Sequence, residues 1–356
     1  MSQINKPNTY FNTVLYTGNN STNNITGVNF QPDFTWIKDR STTGESHYFM
    51  DIVRGNNKFL HSNSTSSERT GSISSGYNSI AFASDGFDIT NSSGLNDETN
   101  LTGRNYASWN WLAGGTAVSN TDGTIASSVS ANTTAGFSIV SFTNSGSGNR
   151  TVGHGLNAKP KMIIQHAIND ATNWLVYHEN LNSSPENYYL YLNTTNASQT
   201  ITNIWGAGMT TTTFGINAGV GGTTSYINYC FAEKKGFSKF GSYTGNGSTD
   251  GTFVYTGFKP AFVILKNTNN ANNWVLLDNK RNTYNVQNTA LAPNTSGADD
   301  TNTSNYGTDF LSNGMKMRTS GTYTSNSNNA TGDTYIYMAF AENPLVGTNN
   351  IPATAR

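Results

Sequence analysis

The chain has 356 residues, of which only 12% are charged, 35% are hydrophobic and 12% are aromatic, and its formal net charge is −1. Few charges with many aromatics is the reverse of a disordered composition. With no basic run longer than Lys234-Lys235, nothing gathers phosphates, so nucleic acid is not an expected partner. No apolar run approaches the ~18 residues needed to span a membrane.

In chain order, Met1-Ser-Gln-Ile-Asn-Lys6 lacks the apolar core of a signal peptide, so an outside location is expected to be reached by a route other than an N-terminal signal, release on host lysis being one. Residues 1–11 read as a polar arm. From there four landmarks recur three times in the same order. An aromatic-Thr turn appears as Tyr16-Thr-Gly-Asn19, Phe142-Thr-Asn-Ser145 and Tyr243-Thr-Gly-Asn246. A proline followed by an apolar strand runs from Pro32 to Lys38, Pro160 to His166 and Pro260 to Lys266. A second apolar strand is Tyr48-Phe-Met-Asp51, Trp174-Leu-Val-Tyr-His178 and Trp274-Val-Leu-Leu-Asp278. A closing strand is Tyr106-Ala-Ser-Trp-Asn-Trp-Leu-Ala113, Tyr226-Ile-Asn-Tyr-Cys-Phe-Ala-Glu233 and Tyr335-Ile-Tyr-Met-Ala-Phe-Ala-Glu342.

These landmarks define three units at 12–115, 136–236 and 237–342. Residues 116–135 read as a polar linker, and 343–356 as a tail. The prolines Pro7, Pro344 and Pro352 suggest that both ends are extended arms ordered by a partner. Units 2 and 3 abut with almost no linker, so they are expected to be rigidly coupled and unit 1 looser. Within a unit, short aromatic and β-branched segments alternate with Gly, Asn and Ser clusters. Asp85-Gly86, Asn246-Gly247 and Asn313-Gly314 supply hairpin-type turns. The expected fold is all-β: three tandem antiparallel β-sandwiches of jelly-roll type, with a three-lobed solenoid or propeller-like assembly as the alternative.

Candidate chemistry is sparse. None of the seven Glu residues is followed two positions later by Asp, so the paired carboxylates of a typical sandwich glucanase are missing. Glu233 and Glu342 occupy equivalent positions but Ala113 stands there in unit 1, which points to strand-end carboxylates. His47, His61, His154, His166 and His178 lack the i, i+4 spacing of a helical zinc site, and His178 aligns with Asp51 and Asp278 as a repeated polar position. The acidic pairs Asp97-Glu98 and Asp299-Asp300 lack the alternating oxygens of a calcium loop. No metal or cofactor is expected, and the chain reads as a non-enzyme. Cys230 sits in an apolar strand as a buried thiol. Trp36, Trp109, Trp111, Trp174 and Trp274 fall in strands and read as core. Trp205, flanked by Ile204 and Gly206, is the one candidate ligand-binding residue, an exposed platform for stacking a sugar.

Phe30-Gln-Pro-Asp-Phe-Thr-Trp-Ile-Lys-Asp-Arg40, Val53-Arg-Gly55, Trp109-Asn-Trp-Leu-Ala-Gly-Gly115, Gly153-His-Gly155, Tyr229-Cys-Phe-Ala-Glu-Lys-Lys-Gly-Phe237 and Ala341-Glu-Asn-Pro-Leu-Val-Gly347 resemble a family of virion proteins from marine bacteriophages, over nearly the whole chain. Its members are described as tail-fibre-like or lectin/glucanase-like. The resemblance implies a location on the virion surface and other virion proteins as partners. It carries over no catalytic or binding residues. Two roles follow as expectations: attachment to host-surface glycans, or capsid decoration and fibre formation. A polysaccharide depolymerase is a third. A homotrimer is the assembly expected of a phage fibre.

Overall fold

The computed structural model describes residues 4–71, 79–90, 98–206, 208–218, 223–320 and 327–346. It is all-β, 47% strand and 3% helix, built from antiparallel sheets. Each repeat forms one large sheet and one small sheet. In unit 1 the large sheet runs in the order Phe11–Thr17, Asn105–Trp111, Phe34–Asp39, His47–Asp51, Lys58–His61, Arg69–Thr70. Its counterpart in unit 2 has Phe137–Asn144, Thr224–Phe231, Met162–Ala167, Leu175–His178 and Tyr188–Tyr191 in the same places. Unit 3 has Ser238–Thr244, Thr334–Pro344, Phe258–Asn267 and Val275–Asp278. The small sheets are Asn23–Ile25, Gly86–Thr90 and Ser79–Ala83 in unit 1; Gly148–Gly153 and Thr213–Ala218 in unit 2; and Phe253–Tyr255, Gly314–Met317 and Thr308–Leu311 in unit 3.

A sandwich strand normally buries every second residue. Here Phe34–Asp39, Met162–Ala167 and Phe258–Asn267 are buried at every position, so both faces of each large sheet are covered. One face meets the unit's own small sheet: Ile37, Ile163, and Val263 with Leu265 enter three separate local cores. The alternate residues, Phe34 with Trp36, Met162 with Ile164, and Phe262 with Ile264, all enter one core common to the three units. The equivalent residues Trp111, Phe231 and Phe340 form a triangle at its centre, with ring centroids 6.4, 5.7 and 6.1 Å apart. The three sandwiches thus close around a pseudo-threefold axis.

Three rings of hydrogen bonds repeat this symmetry. In the first, the strand-start residue of each unit reaches a backbone carbonyl of a neighbour: Trp174 Nε1 donates to His61 O and Trp274 Nε1 to Tyr191 O, both at 2.9 Å, and His47 Nε2 lies 3.1 Å from Ala292 O. The second uses the other end of the same strand. Tyr229 donates to Asp51 at 2.8 Å, Trp109 Nε1 to Asp278 at 3.2 Å, and His178 Nε2 lies 3.1 Å from Tyr337 O. The third is backbone to backbone: Glu68 N to Ile168 O, Ser198 N to Thr268 O and Asp299 N to Arg40 O. Beside the second ring, Asp51 and Asp278 each hold a buried guanidinium three residues on, Arg54 and Arg281.

Several sequence expectations are corrected. Residues 116–135 are not a linker: Val118–Asn120 and Ser127–Asn132 are strands that widen the unit 2 sheet by pairing outside Phe137–Asn144. Their small polar residues disguise a segment whose backbone satisfies a sheet edge. Unit 1 is no looser than the others, since each ring ties it to both neighbours. The arms are ordered by the chain itself: Ile4 is buried in the common core, Pro7–Thr9 forms a 3-10 turn, and Phe11 begins a strand. Asn343 and Pro344 pair with Lys259 and Phe258, while residues 1–3 and 347–356 lie outside the described residues. Asp85-Gly86 and Asn313-Gly314 do close hairpins, whereas Asn246-Gly247 carries the chain from the large sheet to the small one. The five strand tryptophans are buried, but in the common core, not inside single sandwiches.

A shared core predicts that urea unfolds all three units in one transition by tryptophan fluorescence and circular dichroism alike; separate transitions would contradict closure. Trp274→Phe, which leaves the half-buried Tyr191 carbonyl without its indole donor, is expected to lower stability by about 1 kcal/mol.

Acid should open the ring. His47 Nδ1 accepts from Trp36 Nε1 and His178 Nδ1 from Asn180 N, so both imidazoles satisfy their bonds as the neutral Nε2–H tautomer. Burial pushes His178 down to about 4 and His47 well below 6.5. The unfolded chain therefore takes up protons first, and stability falls as pH drops from about 6.5 toward 4, by about 3 kcal/mol for His178. His178→Asn should flatten that part of the urea midpoint against pH; an unchanged slope would exclude this histidine as its source.

Candidate functional site

Trp205 is not an exposed platform. It is fully buried, its Nε1 donates to Tyr188 O at 3.0 Å, and it packs edge-on to Tyr177. The adjacent Gly206 has φ 54° and lies so close to Ile216 that a Cβ would come within 2.8 Å of its backbone. The glycine reflects tight wrapping of the indole, not an open loop.

The remaining sequence candidates are wired into the scaffold. Glu233 pairs with Lys239 at 2.8 Å and Glu342 with Lys259 at 3.6 Å. Asp299 bridges Arg40 and Arg281 between units 1 and 3, and Asp300 accepts from Tyr306. Glu98 accepts from Ser46 N, while Asp97 lies outside the described residues. All five histidines are buried, and burial lowers each of them. Burial likewise raises the Cys230 thiol. Among the described residues no three His, Cys, Asp or Glu side chains cluster to hold a metal ion.

A difference among the three units reveals a site that no single motif announces. At one end of the unit 1 sandwich, between the large and small sheets, the stretch 98–104 folds in as a plug. Tyr16 donates to Thr99 O at 2.8 Å, Leu101 N donates to Tyr106 at 2.9 Å, and Asn100 Oδ1 accepts from Asn19 N at 3.1 Å. The two tyrosines stack at 4.9 Å. Unit 3 repeats the device with 327–333: Tyr243 donates to Asn328 O, Ala330 N donates to Tyr335, Asn329 Oδ1 accepts from Asn246 N, and the tyrosines stack at 5.0 Å. The plugs pass so close to Gly18 and Gly245 that a Cβ there would meet Leu101 O or Ala330 O at 2.2 Å.

Unit 2 departs at each of these points. Its stacked pair is Phe142 and Tyr226, 5.2 Å apart, so one plug-binding hydroxyl is gone. Asn144 stands where register places Gly18 and Gly245, and its side chain intrudes on the plug's path. The strands flanking the plug position are joined by residues 219–223 alone, against 91–104 and 318–333 in the other units. Five residues are too few to bridge the strands and also supply a seven-residue plug.

The result is a cleft of about 240 Å³ floored by Phe142, Leu175, Ile204, Ile216 and Tyr226 and rimmed by Asn144, Gln165, Asn173 and Asn217. Asn144 is only 4% exposed, yet its Nδ2 makes no hydrogen bond among the described residues; its Oδ1 accepts from Arg150 and Gly146 N. Among the described residues, Gln165 donates to Asn228 through Nε2 and makes no bond through Oε1, and the Asn217 carboxamide makes none. His166, which also lines it, has its two ring nitrogens against the carbonyl oxygens of Ala167 and Thr172, and burial pushes it down to about 4. Both signals were present in the sequence, as Phe142-Thr-Asn in place of Tyr-Thr-Gly and as the short 219–223 connection, but neither has meaning without knowing what fills the space in the sister units.

If the plugs are as tight as described, Gly18→Ala and Gly245→Ala should each cost roughly 1–3 kcal/mol by overpacking, read as a lower melting temperature, whereas Asn144→Gly should not unfold the protein. Alanine tolerated at both glycines would contradict the plug geometry.

Comparison with curated proteins and with solved structures gave no match. Residues 6–344 match a family model described as a domain of unknown function (DUF7483), and the chain belongs to that family.

Proposed function

We propose that this is a non-enzymatic protein of the bacteriophage particle surface that attaches to host-surface glycans through the open cleft of unit 2. The observation that carries the reading is that one of three equivalent sockets is emptied of its plug and lined instead by an apolar floor and carboxamides with free hydrogen-bonding atoms. Apolar contact with a few placed polar groups is the usual composition of a small-ligand site. The likeness of the sequence motifs to phage virion proteins supports the location. A rigid, mutually locked body suits a protein that transmits load between a particle and a cell. Its internal threefold ring supplies within one chain the symmetry that a fibre otherwise obtains by trimerising, and a homotrimer of such bodies would add avidity.

A second reading, decoration of the capsid or formation of a fibre, is favoured by the edge strand Phe253–Tyr255 of unit 3, which turns Phe253 and Tyr255 outward at 44% and 58% exposure. Exposed aromatics on an unpaired sheet edge suit docking to a neighbouring virion protein.

Labelled full-length protein is expected to bind host cells and to lose most of that binding when the cells are pretreated with periodate, which cleaves vicinal diols of glycans. Undiminished binding would overturn glycan attachment, and many copies on the capsid lattice of purified particles would favour decoration.

A further inference from the structure

We propose that the unit 2 cleft binds a single neutral pyranose, the exposed end residue of a glycan, in the space that units 1 and 3 fill with Asn100 and Asn329. This rests on the glycan-attachment reading and names the ligand class of the same site.

Size is the first argument. A cleft of about 240 Å³ is below the usual range of drug-sized pockets and suits one sugar ring, not a chain of them. Because the cleft is a socket at the end of a sandwich, a glycan enters with its terminal residue and leaves the rest of the chain outside.

The lining supplies the second argument. An aldopyranose presents C–H groups on its faces and hydroxyls around its edge. Phe142, Leu175, Ile204 and Ile216 offer apolar surface to the former. The unengaged amide of Asn144, the Gln165 Oε1 and the Asn217 carboxamide offer donors and acceptors together to the latter, which vicinal hydroxyls, being both donors and acceptors, can satisfy at once. The Asn144 side chain lines the cleft, and its Nδ2, which donates to no atom among the described residues, is available to a ligand oxygen.

Charge and sterics narrow the class. The lining contains no carboxylate, lysine or arginine. The Arg150 guanidinium donates to Asn144 Oδ1 and is not among the lining residues. An acidic sugar would lose its hydration without a counter-charge. A peptide resembling the plugs is disfavoured because the Asn144 side chain occupies the path that Gly18 and Gly245 leave open and Phe142 lacks the hydroxyl that holds the plug carbonyl.

The test uses the full chain and saturation-transfer NMR with methyl glycosides of neutral hexoses and N-acetylhexosamines, of glucuronic acid and sialic acid, and with the peptide Thr-Asn-Leu. At least one neutral glycoside is expected to bind in the millimolar range and the acidic sugars and peptide not at all. Asn217→Ala should weaken binding about tenfold, the loss of one hydrogen bond, and Leu175→Trp, which fills the cleft, should abolish it, both at an unchanged melting temperature. Absence of any neutral glycoside signal, preference for an acidic sugar or the peptide, or undiminished binding by both folded variants would overturn the proposal. If either variant fails to fold, the remaining one decides. Attachment of the same variants to host cells separates the two levels: if it persists at wild-type strength, glycan attachment stands and the cleft is not its site.

Discussion

Everything in this structure depends on the large sheets being apolar on both faces. A sheet with one wet face ends its folding problem by covering the other. Here the small sheet covers only the face bearing Ile37, Ile163 or Val263, and the face bearing Trp36, Ile164 or Ile264 must find a second cover. The other two units provide it, and three sheets meeting around Trp111, Phe231 and Phe340 exclude water from a core that no unit could build by itself. At about 100 residues, a single unit with such a face exposed would present an aggregation-prone surface.

Closure follows from the handedness of the contacts. The ring contacts are heterologous: the segment from His47, Trp174 or Trp274 to Asp51, His178 or Asp278 meets one neighbour with its start and the other with its end. A head-to-tail interface either closes or propagates, and here three steps close it. The three rings do this with different chemistry at equivalent places. Indoles serve in units 2 and 3 where an imidazole serves in unit 1, and a histidine serves in unit 2 where carboxylates serve in units 1 and 3. What has been kept is the position of a buried group with a partner across the seam, not the identity of the side chain. Burial without a partner is the costly state, so donors and acceptors interchange provided the pair is complete.

The same tolerance explains how one unit acquired a cleft without loss of the fold. The end of each sandwich needs either a plug or a lining that tolerates water or ligand. In units 1 and 3 the plug satisfies a tyrosine pair and requires glycine beside it. In unit 2 the loss of one hydroxyl, the gain of a side chain at Asn144 and the shortening of the connection are mutually consistent changes: each works against a plug, and Asn144 adds a carboxamide to the rim of the open socket. Function placed there sits on rigid strands whose positions are set by the common core.

The sequence by itself determined the local level: the all-β class, the threefold repeat, most strand positions, two of three hairpins, and the burial of five tryptophans and of Cys230. These depend on period, propensity and turn chemistry, which act over a few residues. Tertiary structure decided the rest. The polar segment 116–135 became two strands because a sheet edge was there to receive its backbone, and Ile4 was drawn in because the core shared by the three units extends to it. Trp205 was buried because Gly206 lets the chain wrap it. The cleft exists only by comparison with two filled sockets. Each of these outcomes depends on which surfaces meet, whether the partner is the next strand, as for 127–132 and Trp205, or another unit, as for Ile4, and a sequence pattern records the faces of a strand but not what is brought against them.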